Sequence, residues 1–165
     1  MKIIDSLVKF LPSRPVYAHC DIPCGIYDPY LAQMAAHTVL RMTKLIEDEQ
    51  SSPADKRKED QGDESIFRMV HVKEEHAEIV KHEIATIWSD YFKEENSKNM
   101  PDLADHVWQT LKLASKAKQK VDIEVAKALL AHVQVFAEMF YQSKGMESVR
   151  IPSGYPTEGE IVTHK

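Results

Sequence analysis

His19, Cys20 and Cys24 bring one imidazole and two thiols together within six residues. Thiolates are soft donors that select Zn, Cu(I), Fe–S or Ni over Mg and Ca. The spacing is C-x3-C, not the C-x2-C of zinc knuckles and thioredoxin-like motifs. The chain has only these two cysteines, so no second pair closes a tetrahedral zinc site. Pro23 restricts Ile22 and bends the chain so that both thiols can converge. If the chain is cut before His19, the new α-amine becomes a further donor. The amine, a deprotonated Cys20 amide and two thiolates then make a planar N2S2 set, which points to Cu(II) or Ni(II), with the His19 imidazole as a weaker axial ligand. Anionic sulfur and amidate donors stabilise a higher oxidation state, which makes such a metal redox-active. The bland alternative is two inert thiols in a loop.

The residues before this cluster decide whether the amine exists. Met1 to Ala18 does not read convincingly as a secretory signal, because Asp5 and Lys9 interrupt what should be a continuous apolar stretch. Pro12 and Pro15 stop it extending as a helix. Val16-Tyr17-Ala18 suits a processing protease cutting between Ala18 and His19, which makes residues 1–18 a propeptide; the plainer reading is a frayed terminus. Two cysteines this close cannot staple 165 residues, so a reduced, cytoplasmic setting is expected. A net charge of -5 argues against a nucleic-acid binder. No apolar run approaches the roughly 18 residues that a bilayer needs, and no glycine-rich loop is built for phosphate.

Four helices are expected to carry the cluster. Asp28-Pro29 reads as an N-cap followed by proline at the first helical position. Leu31, Met34, Thr38, Met42 and Leu45 then recur at helical spacing. The polar run from Glu47 to Asp63 reads as a loop. A second helix is expected near Glu64 to Phe92, with Ile66, Val70, Ala77, Val80, Ile84, Ile87 and Tyr91 as its stripe and a polar slot at Lys73. Pro101 ends the next connection. Leu103, Val107, Leu111 and Ala114 open a third helix, and Val125, Leu129, Val133, Phe136 and Phe140 mark a fourth that ends near Gly145. No segment shows sustained alternation, so no sheet is expected. The prediction is an all-α, antiparallel four-helix bundle over residues 30–144, preceded by a metal-binding hook at 19–29 and followed by a loosely ordered tail at 145–165.

The run His19-Cys20-Asp21-Ile22-Pro23-Cys24-Gly25-Ile26-Tyr27-Asp28-Pro29 resembles the N-terminal hook of the nickel superoxide dismutase family, an HCDxPCGxYDP motif. Segments 73–82 and 88–93 resemble that family's second helix, and 110–118 its third, so the resemblance covers about 19–142. It implies a four-helix bundle, a homohexamer, removal of a propeptide, and a dismutase that cycles nickel between Ni2+ and Ni3+, one ion per subunit. Carried over by position, the nickel ligands are His19 through its amine and imidazole, Cys20 through its amide and thiolate, and Cys24 through its thiolate. Tyr27 stands over the open axial face, and Asp21 arranges the hook's amides. The family supports the axial imidazole with a Glu on the first helix and an Arg on the second. Those positions are Ala35 and His76 here, and His37 and His76 are the candidates for a replacement.

Two other classes compete. A di-iron bundle needs Glu-x-x-His, and none of the eight histidines has a Glu three positions before it. A non-catalytic nickel-binding or metallochaperone protein needs the hook but no route for substrate. If the chain is a dismutase, positive charge near the site should help the superoxide anion arrive; lysines of the second helix are the guess.

Overall fold

The structure is a computed structural model that describes residues 25–51 and 59–165. Four long helices form the body: α1 (Tyr30–Ser51), α2 (Glu59–Thr86), α4 (Leu103–Gln119) and α5 (Ile123–Ser143). A π-helical turn, Ile87–Tyr91, continues α2, and a short α3 (Glu94–Asn99) lies before α4. The helices close a ring in which α1 packs on α2 and α5, and α4 packs on α2 and α5. Among the described residues, no helix is long and apolar enough to cross a membrane.

The helix ends follow from local chemistry. Asp28 Oδ1 accepts from the Tyr30 amide at 2.7 Å and caps α1. Asp122 caps α5 through the amides of Glu124 and Val125. At the other end of α5, Gly145 takes φ +70°. This lets the Gly145 amide reach Gln142 O and the Met146 amide reach Tyr141 O, which closes the helix.

The core joins Val125, Leu129, Val133, Phe136 and Phe140 of α5, all buried as expected, with Ala77, Val80 and Ile84 of α2 and Ile87 of the π turn. In α1 the expected stripe is displaced. Leu31 and Met34 are exposed, whereas Ala32, Ala35, Ala36, Val39 and Ile46 are buried. Alanines let α1 approach its neighbours closely, so the larger side chains fall outside. The polar slot at Lys73 is 1% exposed. Its Nζ donates to the carbonyls of Ala117, Lys118 and Lys120. A buried cation thus satisfies the orphan carbonyls at the end of α4.

The tail corrects two expectations. Residues 145–165 are not loosely ordered, and a sheet is present: β1 (Ser148–Pro152) pairs antiparallel with β2 (Glu160–His164), with Arg150 opposite Val162. The strands are short and β1 ends in proline, so alternation never has the length to show. The hairpin is docked rather than free. Gln33 donates from Nε2 to Val162 O at 2.9 Å and accepts from the Val162 amide at 2.7 Å.

Candidate metal centre

His19, Cys20 and Cys24 lie outside the described residues. The platform from which they extend is described. Gly25 takes φ +91°, a conformation that glycine adopts without strain. Pro29 is buried and its carbonyl accepts from the Gln33 amide at 3.1 Å. The hook therefore leaves directly from the N-terminus of α1.

Tyr27 is half-buried, and its ring lies 5.8 Å from that of Tyr91 at a tilt of 53°. Tyr91 ends the π turn, where Phe92 N bonds back to Ile87 O. Such turns widen a helix by one residue and re-aim the side chains beyond them. Tyr91 is held by Ser143 Oγ at 2.9 Å and by the Phe140 ring at 4.7 Å. Next to it, Asp90 keeps a buried Oδ2 with no partner among the described residues, an acceptor open to a donor from elsewhere.

Lys144 brings a cation to this end of the bundle. Lys144 Nζ lies 4.5 Å from the Phe140 ring centre and 3.5 Å from Tyr27 O. It belongs to the end of α5, not to the second helix. Tyr141 completes the platform: its hydroxyl donates to Asp28 Oδ2 at 3.5 Å. Burial, reinforced by the Asp28 charge, pushes its pKa up to about 12, so it remains a donor.

The two histidines that the resemblance offers as supports for His19 differ in their bonding. His37 is committed elsewhere: Nε2 donates to Glu160 O at 3.1 Å, so the neutral ring accepts at Nδ1 from Thr157 Oγ1 at 2.8 Å. Burial holds its pKa below the ordinary value. His76 donates from Nδ1 to Val72 O at 2.8 Å, which leaves Nε2 as its acceptor. Ala35 is fully buried in the core.

Among the described residues, no group of three or more His, Cys, Asp or Glu converges to hold a metal. The donors suited to nickel are the two thiols and the histidine of the hook, by their chemistry. The sequence reading places Tyr91 only in the stripe of the second helix and does not single out Tyr141 or Lys144. For Tyr91 a signal existed in the segment 88–93; for the other two nothing in their local sequence marks them.

The model of the family described as nickel-containing superoxide dismutase matches residues 14–144. The chain is 33% identical over 137 residues to "Superoxide dismutase [Ni]" of Streptomyces coelicolor, covering 82% of this chain and 95% of the relative. It is 32% identical over 135 residues to the protein of the same name from Streptomyces seoulensis, with 82% and 95% covered. A native crystal structure of nickel superoxide dismutase superposes with a TM-score of 0.65 at 31% identity, over 76% of this chain and 99% of that one. The structure of a nickel-containing superoxide dismutase with ligation of the oxidised state gives 0.66 at 28%, over 77% and 99%. The chain belongs to the nickel-containing superoxide dismutase family.

Proposed function

We propose that this chain converts superoxide to dioxygen and hydrogen peroxide, with nickel held at an N-terminus exposed by removal of residues 1–18. Two superoxide anions and two protons give one O2 and one H2O2, so one anion loses the electron that the other gains. Nickel bound at the hook supplies that one-electron exchange. The His19 amine and imidazole, the Cys20 amide and thiolate and the Cys24 thiolate would be its donors, and the soft thiolates with the anionic amide fit nickel. The observation that carries the reading is the motif 19–29 joined, through Tyr27 and Asp28, to a platform at one end of the family's bundle.

The described residues have roles that their geometry supports. Tyr27, held by Tyr91, would present its phenol toward the anion at the hook. Lys144 attracts the anion, which matters because the processed chain has 18 basic and 25 acidic residues, a net -7. A homohexamer in the cytoplasm is the assembly and setting that go with this reading, since neighbouring subunits would brace a terminal hook. The nickel-carrier alternative is less favoured, because the family matched over 14–144 is named for the enzyme. The test is to purify chain beginning at Met1 and chain beginning at His19, both loaded with nickel. Only the second should dismutate superoxide. Robust activity from chain proven uncleaved by mass spectrometry would sink the amine as a ligand.

A further inference from the structure

The hairpin lies beyond the residues that the family model matches. It is built onto α1 and α5 by polar side chains that would be costly to bury otherwise. Gln33, His37 and Gln134 are 0%, 2% and 7% exposed. Gln33 takes both backbone groups of Val162. His37 Nε2 and Gln134 Nε2 both donate to Glu160 O. The outer edge of β2 is thereby sealed against the bundle, and Arg150 adds Glu138 at 2.8 Å.

Two further contacts reach past this docking to the start of α1. Tyr155, in the turn of the hairpin, meets the Tyr30 hydroxyl at 3.2 Å. His164, at the end of β2, packs its ring 5.0 Å from Tyr141, whose hydroxyl meets Asp28. On this side of α1's start, Tyr30 and Leu31 remain partly open to solvent, 47% and 46% exposed. A hollow lined by Asp28, Tyr30, Leu31, Tyr141, Thr163 and His164 opens beside them.

We infer that the hairpin is a brace for the nickel hook: through Tyr155–Tyr30 and His164–Tyr141–Asp28 it fixes the turn from which the hook leaves, four residues after Cys24. Tyr141 and Tyr155 are positioning residues. This rests on the hook reading above.

The experiment uses the full chain from His19 to Lys165 with Tyr141→Phe, Tyr155→Phe or both. These changes remove the links and leave Gln33, His37 and Gln134 in place. Amide hydrogen exchange of residues 26–31, measured without metal, reads the brace. Nickel release into excess EDTA reads its service to the hook. The double variant should exchange faster at 28–31 and release nickel about tenfold faster or more, the cost common for groups that orient ligands, while its melting temperature stays near the parent's. Unchanged exchange overturns the brace. Faster exchange with unchanged release overturns its role toward the metal. If Tyr141→Phe lowers melting, Tyr155→Phe alone, at the surface, decides by the same two readings. A parent that binds no nickel, or a Cys20→Ser variant that binds it as tightly, overturns the hook reading itself, whereas exchange still reports on the brace.

Discussion

The Tyr27 ring rests on Tyr91, 5.8 Å between centres and tilted by 53°, so the phenol three residues after Cys24 is positioned by the second helix. Tyr91 is in turn fixed by Ser143 and Phe140. Tyr27→Phe keeps this stacking and loses only the hydroxyl. It should retain nickel and helical content but alter saturation kinetics or sensitivity to peroxide. Pulse radiolysis over a wide superoxide range checks this, and unchanged kinetics would leave Tyr27 as a packing residue.

Lys144 is exposed, and its charge sits over the Phe140 ring and beside the Tyr27 carbonyl. In a chain of net negative charge, a cation there raises the local concentration of a small anion. Lys144→Gln should lower kcat/KM by roughly three-fold at low ionic strength, a modest effect suited to one exposed charge. The deficit should shrink as salt is added. A salt-independent loss would mean that Lys144 acts by packing.

What the sequence could reveal depended on side-chain size and on distance along the chain. α5 was legible because Val125, Leu129, Val133, Phe136 and Phe140 are large, apolar and periodic, and all are buried. α1 misled because the first turns of its inner face carry Ala32, Ala35 and Ala36, so the larger Leu31 and Met34 drew the stripe onto the wrong side. Lys73 broke the α2 pattern for a reason only the fold supplies: the end of α4 lies against it. The hairpin was missed because its docking partners, Gln33, His37 and Gln134, look like ordinary polar positions until β2 is set against them. The hook motif was readable as contiguous residues. The contacts behind it were not, since Tyr30 and Tyr155 are 125 residues apart and Asp28 and Tyr141 are 113 apart.

His37 gives the hairpin a pH dependence. Burial depresses its pKa below the ordinary 6.5, against a smaller opposing effect of its bond to Glu160 O. The unfolded chain therefore binds more protons near and below 6.5, and stability falls as pH drops through that value. Protonation reverses the direction of the bond to Thr157 Oγ1, which then accepts from Nδ1. His132, depressed by burial and by the nearby His106, contributes with the same sign. The melting temperature should fall on acidification from about pH 7.5 to about 5.5, and His37→Gln should flatten part of that slope. An unchanged slope would assign it to His132 and other groups.

In the proposed reading the two thiols are the metal's sulfur donors, so replacing them separates a catalyst from a carrier. Superoxide must both donate and accept an electron at one metal, whose potential must lie between those two couples. Aqueous nickel is too hard to oxidise for that, and strong anionic donors are needed to bring the higher state within reach. Cys20 and Cys24 are the only cysteines in the chain. Serine in either place offers a hydroxyl that stays protonated near neutral pH and is a poor donor for nickel. Each single change should therefore abolish turnover, and the double variant should be no worse. The bundle should survive, because both positions precede α1 in the sequence and fall outside the residue ranges of the four helices. Circular dichroism of Cys20→Ser and Cys24→Ser should match the parent's helical content while dismutase activity is gone. Retained activity in either variant would remove that thiolate from the ligand set, and a correctly processed, nickel-loaded parent without activity would return the chain to the carrier class.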